Sequence, residues 1–117
     1  MYKVVRIGQH EIPMQANAAT PIRYKQVFHR NIMSMFLGTV EEEAAEEMLC
    51  ELAYIMAMSA AGEDMTKLTY DGFVEWLEQF DALDFFVEPA VSAIRDVYIG
   101  NMIGESDVKK NQDQPTE

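Results

Sequence analysis

The chain has 117 residues, 49% of them hydrophobic, and carries nine Lys and Arg against twenty Asp and Glu, a formal charge of −11. That length is one domain, and that composition describes a globular chain with a real core. It excludes a general nucleic-acid binder, since neutralising phosphates takes clustered Lys and Arg, and no apolar run approaches the roughly 20 residues of a membrane span.

The charge is uneven. Residues 1–40 hold Lys3, Arg6, Arg23, Lys25 and Arg30 against Glu11 alone, while residues 41–117 hold four basic residues against nineteen acids. Such polarity suits head-to-tail self-association or docking onto a complementary partner; its plainer meaning is a solvated acidic face. Cys50 is the only cysteine, so no intrachain disulfide can form and a reducing cytoplasm is expected. Met1 to Gln15 is interrupted by Arg6, His10 and Glu11 and does not read as a secretion signal.

In chain order, Lys3–Ile7 and Glu11–Gln15 flank Gly8-Gln9-His10 and predict a β-hairpin. Pro13 cannot donate to a ladder, so the second strand is expected to be an edge or to end early. In the stretch Ala16–Phe28, Thr20 can cap a helix and Pro21 suits its first position. The first helix is predicted from Pro21 to about Phe36, with Tyr24, Phe28, Ile32, Met35 and Phe36 as its buried stripe and Gly38 as its end. The second opens at Thr39 or Val40, with Glu41, Glu42 and Glu43 in the first turn, where carboxylates complement the helix dipole. Ala45, Met48, Leu49, Leu52, Ile55, Met56 and Ser59 recur at helical spacing, and Tyr54 and Met58 widen that face, so this helix is central. Gly62 ends it, and Glu63–Leu68 is a loop.

Thr69 caps a third helix bearing Asp71 in its first turn and Phe73, Trp76, Leu77 and Phe80 on its apolar stripe. Asp81–Phe86 makes a short turn of helix. Pro89 begins a fourth helix carrying Val91, Ile94, Val97 and Tyr98, with Gly100 and Gly104 bracketing its end. From Glu105 on, Val108 is the one apolar residue, which predicts a disordered tail. The expected class is α+β, mainly α: an N-terminal β-hairpin followed by about four helices in one domain, 1–104, with a disordered acidic and polar tail, 105–117.

Chemistry is sparse. His10 and His29 are the only imidazoles, and neither has metal-site spacing. Glu43, Glu47 and Glu51 share a helix face at i, i+4. Carboxylate-bridged metal bundles add a Glu-x-x-His motif that is missing here, and this face lies opposite Leu49, Leu52 and Met56, so it reads as solvated. Cys50 has no basic neighbour to lower its pKa and reads as a small buried hydrophobe. The glycines are too scattered for a phosphate loop, and no Ser-His-Asp set is assignable. No catalytic, cofactor or metal residue is assigned, and the chain is expected not to be an enzyme.

The one compositional excess is methionine, nine residues. Met48 and Met56 read as core, and Met58 and Met65 as candidates for an apolar groove that could grip a partner. Phe85-Phe86 offers a second apolar patch, because adjacent helical residues cannot both face one core. With the basic residues of the first helix, the candidate partner-binding residues are Arg23, Lys25, Met58, Met65, Phe85 and Phe86. On residues alone, a small acidic protein-binding adaptor or regulator is the alternative reading.

The order of parts resembles the tail assembly chaperones of long-tailed, siphovirus-type bacteriophages and prophages of Gram-positive hosts. The resemblance is carried by Ile7-Gly-x-x-Glu-Ile-Pro13, by Ala16-Asn-Ala-Ala-Thr-Pro-Ile-Arg-Tyr-Lys-Gln-Val-Phe28, by Leu52-Ala-Tyr-Ile-Met-Ala57 and by Phe73-x-x-Trp-Leu-x-x-Phe80 with the turn after it, and covers about residues 1–100. His29 and Asn31 depart from it, standing where a glycine and an acid are expected. The resemblance implies a chaperone that coats the long, mostly helical tape measure protein, self-associates and helps recruit major tail protein. It implies a place in the host bacterial cytoplasm and not in the mature virion. It also implies a longer product made by ribosomal frameshifting, for which the A-rich codons of Lys109-Lys110-Asn111, after Val108, are a candidate slip site.

Overall fold

A computed structural model describes residues 1–103; Gly104, the expected tail and Val108–Asn111 lie outside the described residues. Strands β1 (Tyr2–Ile7) and β2 (His10–Gln15) pair antiparallel, with Ile7 opposite His10 and Val4 opposite Pro13. Only Gly8 of the two loop residues has a positive φ, 60°, the pattern of a type II′ turn, whose twist matches that of the strands. Pro13 does not shorten β2, which runs on to Gln15. Hydrogen-bonded and non-bonded pairs alternate along the ladder, and Val4–Pro13 is a non-bonded pair, so the missing N–H points away from β1.

The first predicted helix is two. Helix α1 (Thr20–Phe28) stops at His29, which adopts a left-handed φ of 59° and donates its amide to the Lys25 carbonyl at 2.8 Å; α2 (Met33–Phe36) follows, closed by Gly38. The fifth helix of the chain comes from this break. Thr20 is also not the cap. Ala19 holds that position, and Asn17 and Thr20 clasp the turn before it: Thr20 Oγ1 accepts from the Asn17 amide, and Asn17 Oδ1 accepts from the Ala19 amide, both at 2.9 Å. Pro21 does sit in the first turn.

Helix α3 (Glu42–Ala61) begins after Glu41, slightly later than expected, and ends at left-handed Gly62 as expected. Its ten consecutive residues Met48–Ala57 are all buried, so it is enclosed on every side through the middle. The loop after it contains a 3-10 turn at Met65–Lys67. Helix α4 (Tyr70–Leu77) is capped by Thr69 Oγ1, which accepts from the Gly72 amide at 3.0 Å. Helix α5 (Ala90–Ile103) follows a cis Glu88–Pro89 peptide and runs through Gly100; the Glu88 carboxylate accepts from the Ser92 amide and hydroxyl.

The α+β, mainly α class is therefore the one observed. The inner face of the hairpin (Val5, Ile7, Met14) is buried, with β2 lying on α3 and β1 on α5. Helix α1 packs on another side of α3, and α2 and α4 flank it. A run of rings, Phe28, Phe73, Tyr54, Trp76, Phe80 and Phe85, links α1 through α4 to the following turn at centroid spacings of 5.0–5.8 Å. The hairpin tip closes on that turn: His10 meets Phe80 edge-on at 5.1 Å, and a Cβ on Gly8 would collide with the Asp84 carboxylate. Among the described residues no helix is long and apolar enough to cross a membrane.

A left-handed conformation costs a non-glycine residue about 1–2 kcal/mol. His29→Gly is therefore expected to raise unfolding stability by roughly 1 kcal/mol, read as a higher denaturant midpoint at unchanged slope. A lower midpoint would mean that the imidazole itself holds the turn.

Candidate functional site

Two grooves touch the candidate residues Phe86, Arg23 and Met65, and a buried polar cluster lies apart from them. The first groove lies between the first half of α3 and the start of α5. It is about 240 Å³, lined by Met35, Ala45, Leu49, Phe86 and Val91, with Glu42, Glu46 and Arg95 among its walls. Its end is set by the turn between α4 and α5, where the Asp84 amide donates to the Asp81 carbonyl and Asp84 Oδ2 accepts from the Asp81 amide, both at 3.0 Å. This turn separates the two phenylalanines. Phe85 is 3% exposed, wedged between Trp76 and Phe80, whereas Phe86 is 41% exposed on the groove. Phe85 is thus a core residue and not part of a free surface. Leu83 and Val87 are exposed on the same turn. Arg95 lies over the Phe36 ring at 5.4 Å, and Phe36 stacks on Tyr98, so α2 and α5 hold that wall together.

The second groove, about 180 Å³, joins Arg23 and Met65 with Asn17, Ala19, Thr20, Ile55 and Ser59. Arg23 donates to Gln26 Oε1 at 3.1 Å. Asp64 is nearby: hydrogen bonds from the Thr66 hydroxyl and amide hold its carboxyl below the usual range, and the Arg23 charge adds to this. Lys25 is exposed on α1, and Met58 is half-buried against the core; neither lines these grooves. The six candidate residues therefore do not form one surface.

The polar cluster was not foreseen. Glu51, expected on the solvated face of the second helix, is 1% exposed. Its Oε1 accepts from the Tyr24 hydroxyl at 2.6 Å and lies 3.8 Å from Arg30 Nη1, while Arg30 Nη2 bonds Glu47. Burial pushes the Glu51 carboxyl up, against the lowering effects of the Tyr24 hydrogen bond and the Arg30 charge. Burial and the Glu51 bond push the Tyr24 phenol up as well. Desolvation acts against the Arg30 charge, but the Glu47 bond and the Glu51 charge outweigh it and hold the guanidinium protonated. The signal available in the sequence was the neighbourhood: Glu51 lies inside a helix apolar on all sides, where no face remains for water.

The Cys50 thiol is buried and pushed up to about 12 by burial and then by Glu51, Glu47 and Glu46, so it stays protonated at neutral pH. Among the described residues no group of three or more His, Cys, Asp or Glu side chains is disposed to hold a metal ion. Comparison with protein-family models, with curated proteins and with solved structures finds no match to this chain.

Two outcomes follow from the cluster. Tyr24→Phe strands a buried carboxylate oxygen and is expected to cost about 1–3 kcal/mol of stability in urea unfolding. For Glu51, a raised folded pKa means that its stabilising contribution is complete below the unfolded carboxyl value, about 4.3, and is lost as pH rises through the folded value. The stability of the wild type relative to Glu51→Gln should therefore fall as pH rises above about 4.3. A flat or rising difference would show that Arg30 governs the carboxylate instead.

Proposed function

We propose that this chain is a non-enzymatic tail assembly chaperone of a long-tailed bacteriophage or prophage, binding and solubilising the tape measure protein and helping to recruit major tail protein while the tube polymerises. Support comes from the residue patterns quoted above and, in the structure, from the open groove between α3 and α5, the observation that carries the reading. A groove floored by Met35, Leu49 and Val91 and edged by Phe86 suits the apolar stripe of a helical segment, the helix-in-groove mode of recognition. Glu42 and Glu46 on its wall suit Lys or Arg beside such a stripe. In this role the protein acts in the host bacterial cytoplasm and is left out of the mature virion, and a frameshifted longer product supplies the contact to major tail protein.

The exposed acids at the start of α3, Glu41, Glu42, Glu43 and Glu46, favour one other reading, a small acidic adaptor or regulator. A salt-sensitive one-to-one complex with a basic partner is its mark.

Co-expression decides between them. The wild type is expected to raise the soluble yield of the tape measure protein encoded beside it, and Phe86→Lys to abolish the rise. Stability should stay within about 0.5 kcal/mol, since Phe86 is on the surface. No rise with the wild type sinks the chaperone proposal; a full rise with Phe86→Lys moves the contact away from this groove.

A further inference from the structure

The hairpin has two lateral edges, and they are not equivalent. Met1 and Ala16 exchange both backbone hydrogen bonds, at 2.8 and 2.7 Å. Antiparallel alternation then turns the backbone groups of Lys3, Val5 and Ile7 toward β2 and those of Tyr2, Val4 and Arg6 outward. On β2 the outward residues are Glu11, Pro13 and Gln15. Pro13 places a residue without an N–H at the middle of that edge, which blocks extension of the sheet there. The β1 edge carries no proline. Among the described residues the backbone groups of Val4 and Arg6 make no hydrogen bond to another element. The side chains of the outward residues stand on the solvent face: Tyr2 is 58% and Val4 54% exposed, and Arg6 pairs with Glu11 at 3.5 Å.

We propose that the β1 edge pairs with the same edge of a second copy of this chain, antiparallel, to make a four-stranded sheet in the order β2-β1-β1-β2. A two-fold contact must be self-complementary, and β1 is so about Val4. Val4 meets its own copy on the axis. Each Tyr2 lies across from the other copy's Arg6, a ring opposite a guanidinium, and each Lys3 lies across from a Val5. Like charges are nowhere opposed in this register, and Tyr2, Val4 and Arg6 all exchange their outward backbone bonds. A β2–β2 pairing would instead set Pro13 against itself, with no donor at the centre. This self-pairing stands apart from the functional proposal, because it uses neither the α3–α5 groove nor Phe86.

Sedimentation equilibrium of the full chain over a concentration series tests it. The wild type is expected to dimerise. Val4→Lys, which sets like charges on the axis, should weaken the dimer by roughly tenfold or more. Val4→Pro should do the same by removing the central donor. Both should keep the circular dichroism of the wild-type monomer, because Val4 is exposed and its amide lies outside the β1–β2 ladder. If Val4→Pro fails to fold, Val4→Lys and amide exchange still decide. In the dimer, the Val4 and Arg6 amides should become protected as concentration rises, while Val5 and Ile7 are protected throughout. A wild type that stays monomeric at every concentration, a dimer that Val4→Lys leaves unweakened, or a dimer whose Val4 amide still exchanges freely would each overturn the proposal.

Discussion

A carboxylate in the middle of a helix that is apolar on every side has to find donors or a cation, because a buried charge left unpaired is among the most expensive defects a fold can carry. Glu51 is that carboxylate. Tyr24 supplies the donor and Arg30 the cation, and both lie in the segment before α3. Tyr24 reaches Glu51 only if α1 packs with that face on α3. Arg30, two residues past the end of α1, reaches it only if the chain leaves the helix and turns back. The left-handed His29 makes that turn, and α2 begins anew at Met33. The division of one long apolar stripe into two helices is thus the backbone's answer to one buried charge. It also brings Phe28 beside Phe73, where the run of rings through α4 to Phe85 begins.

This explains which parts of the fold were legible in the sequence. The hairpin, the Thr69 cap, the Gly62 stop and the enclosed α3 rest on signals within a few residues of where they act. The break at His29 does not. Tyr24, Phe28, Ile32, Met35 and Phe36 are all buried or half-buried as the helical spacing requires, yet they are split between two helices, with Ile32 just before the second. Periodicity reports which residues go inside and is blind to a turn demanded by a partner more than twenty residues away, such as Glu51. The same locality limits the reading of Glu51: spacing within α3 set it opposite Leu49 and Leu52, and only the elements packed around α3 removed the solvent from its side.

The surface was legible in kind more than in arrangement. That Phe85 and Phe86 must part company follows from adjacency alone; that Phe85 is the inward one depends on where Trp76 and Phe80 stand. Arg23 and Met65, far apart in the chain, meet across one groove, while Lys25 and Met58 stay outside it. The N-terminal basic charge is also less free than its count suggests. Arg30 is committed to Glu47 and Glu51, and Arg6 pairs with Glu11.

Two features open to another molecule are apolar or backbone in nature, set within an acidic surface. The groove beside Phe86 has a greasy floor and carboxylates on its walls, and on the β1 edge the outward amides of Val4 and Arg6 have no backbone partner among the described residues. A net charge far from zero keeps protomers apart at long range and so guards both features against indiscriminate association. Pro13 performs the same service at short range for β2. Against that repulsion, association needs geometry as well as grease: a helix whose stripe fits the groove, or a strand whose residues answer those of β1. For a protein proposed to hold a long helical chain in solution until assembly begins, that requirement separates binding a partner from aggregating with it.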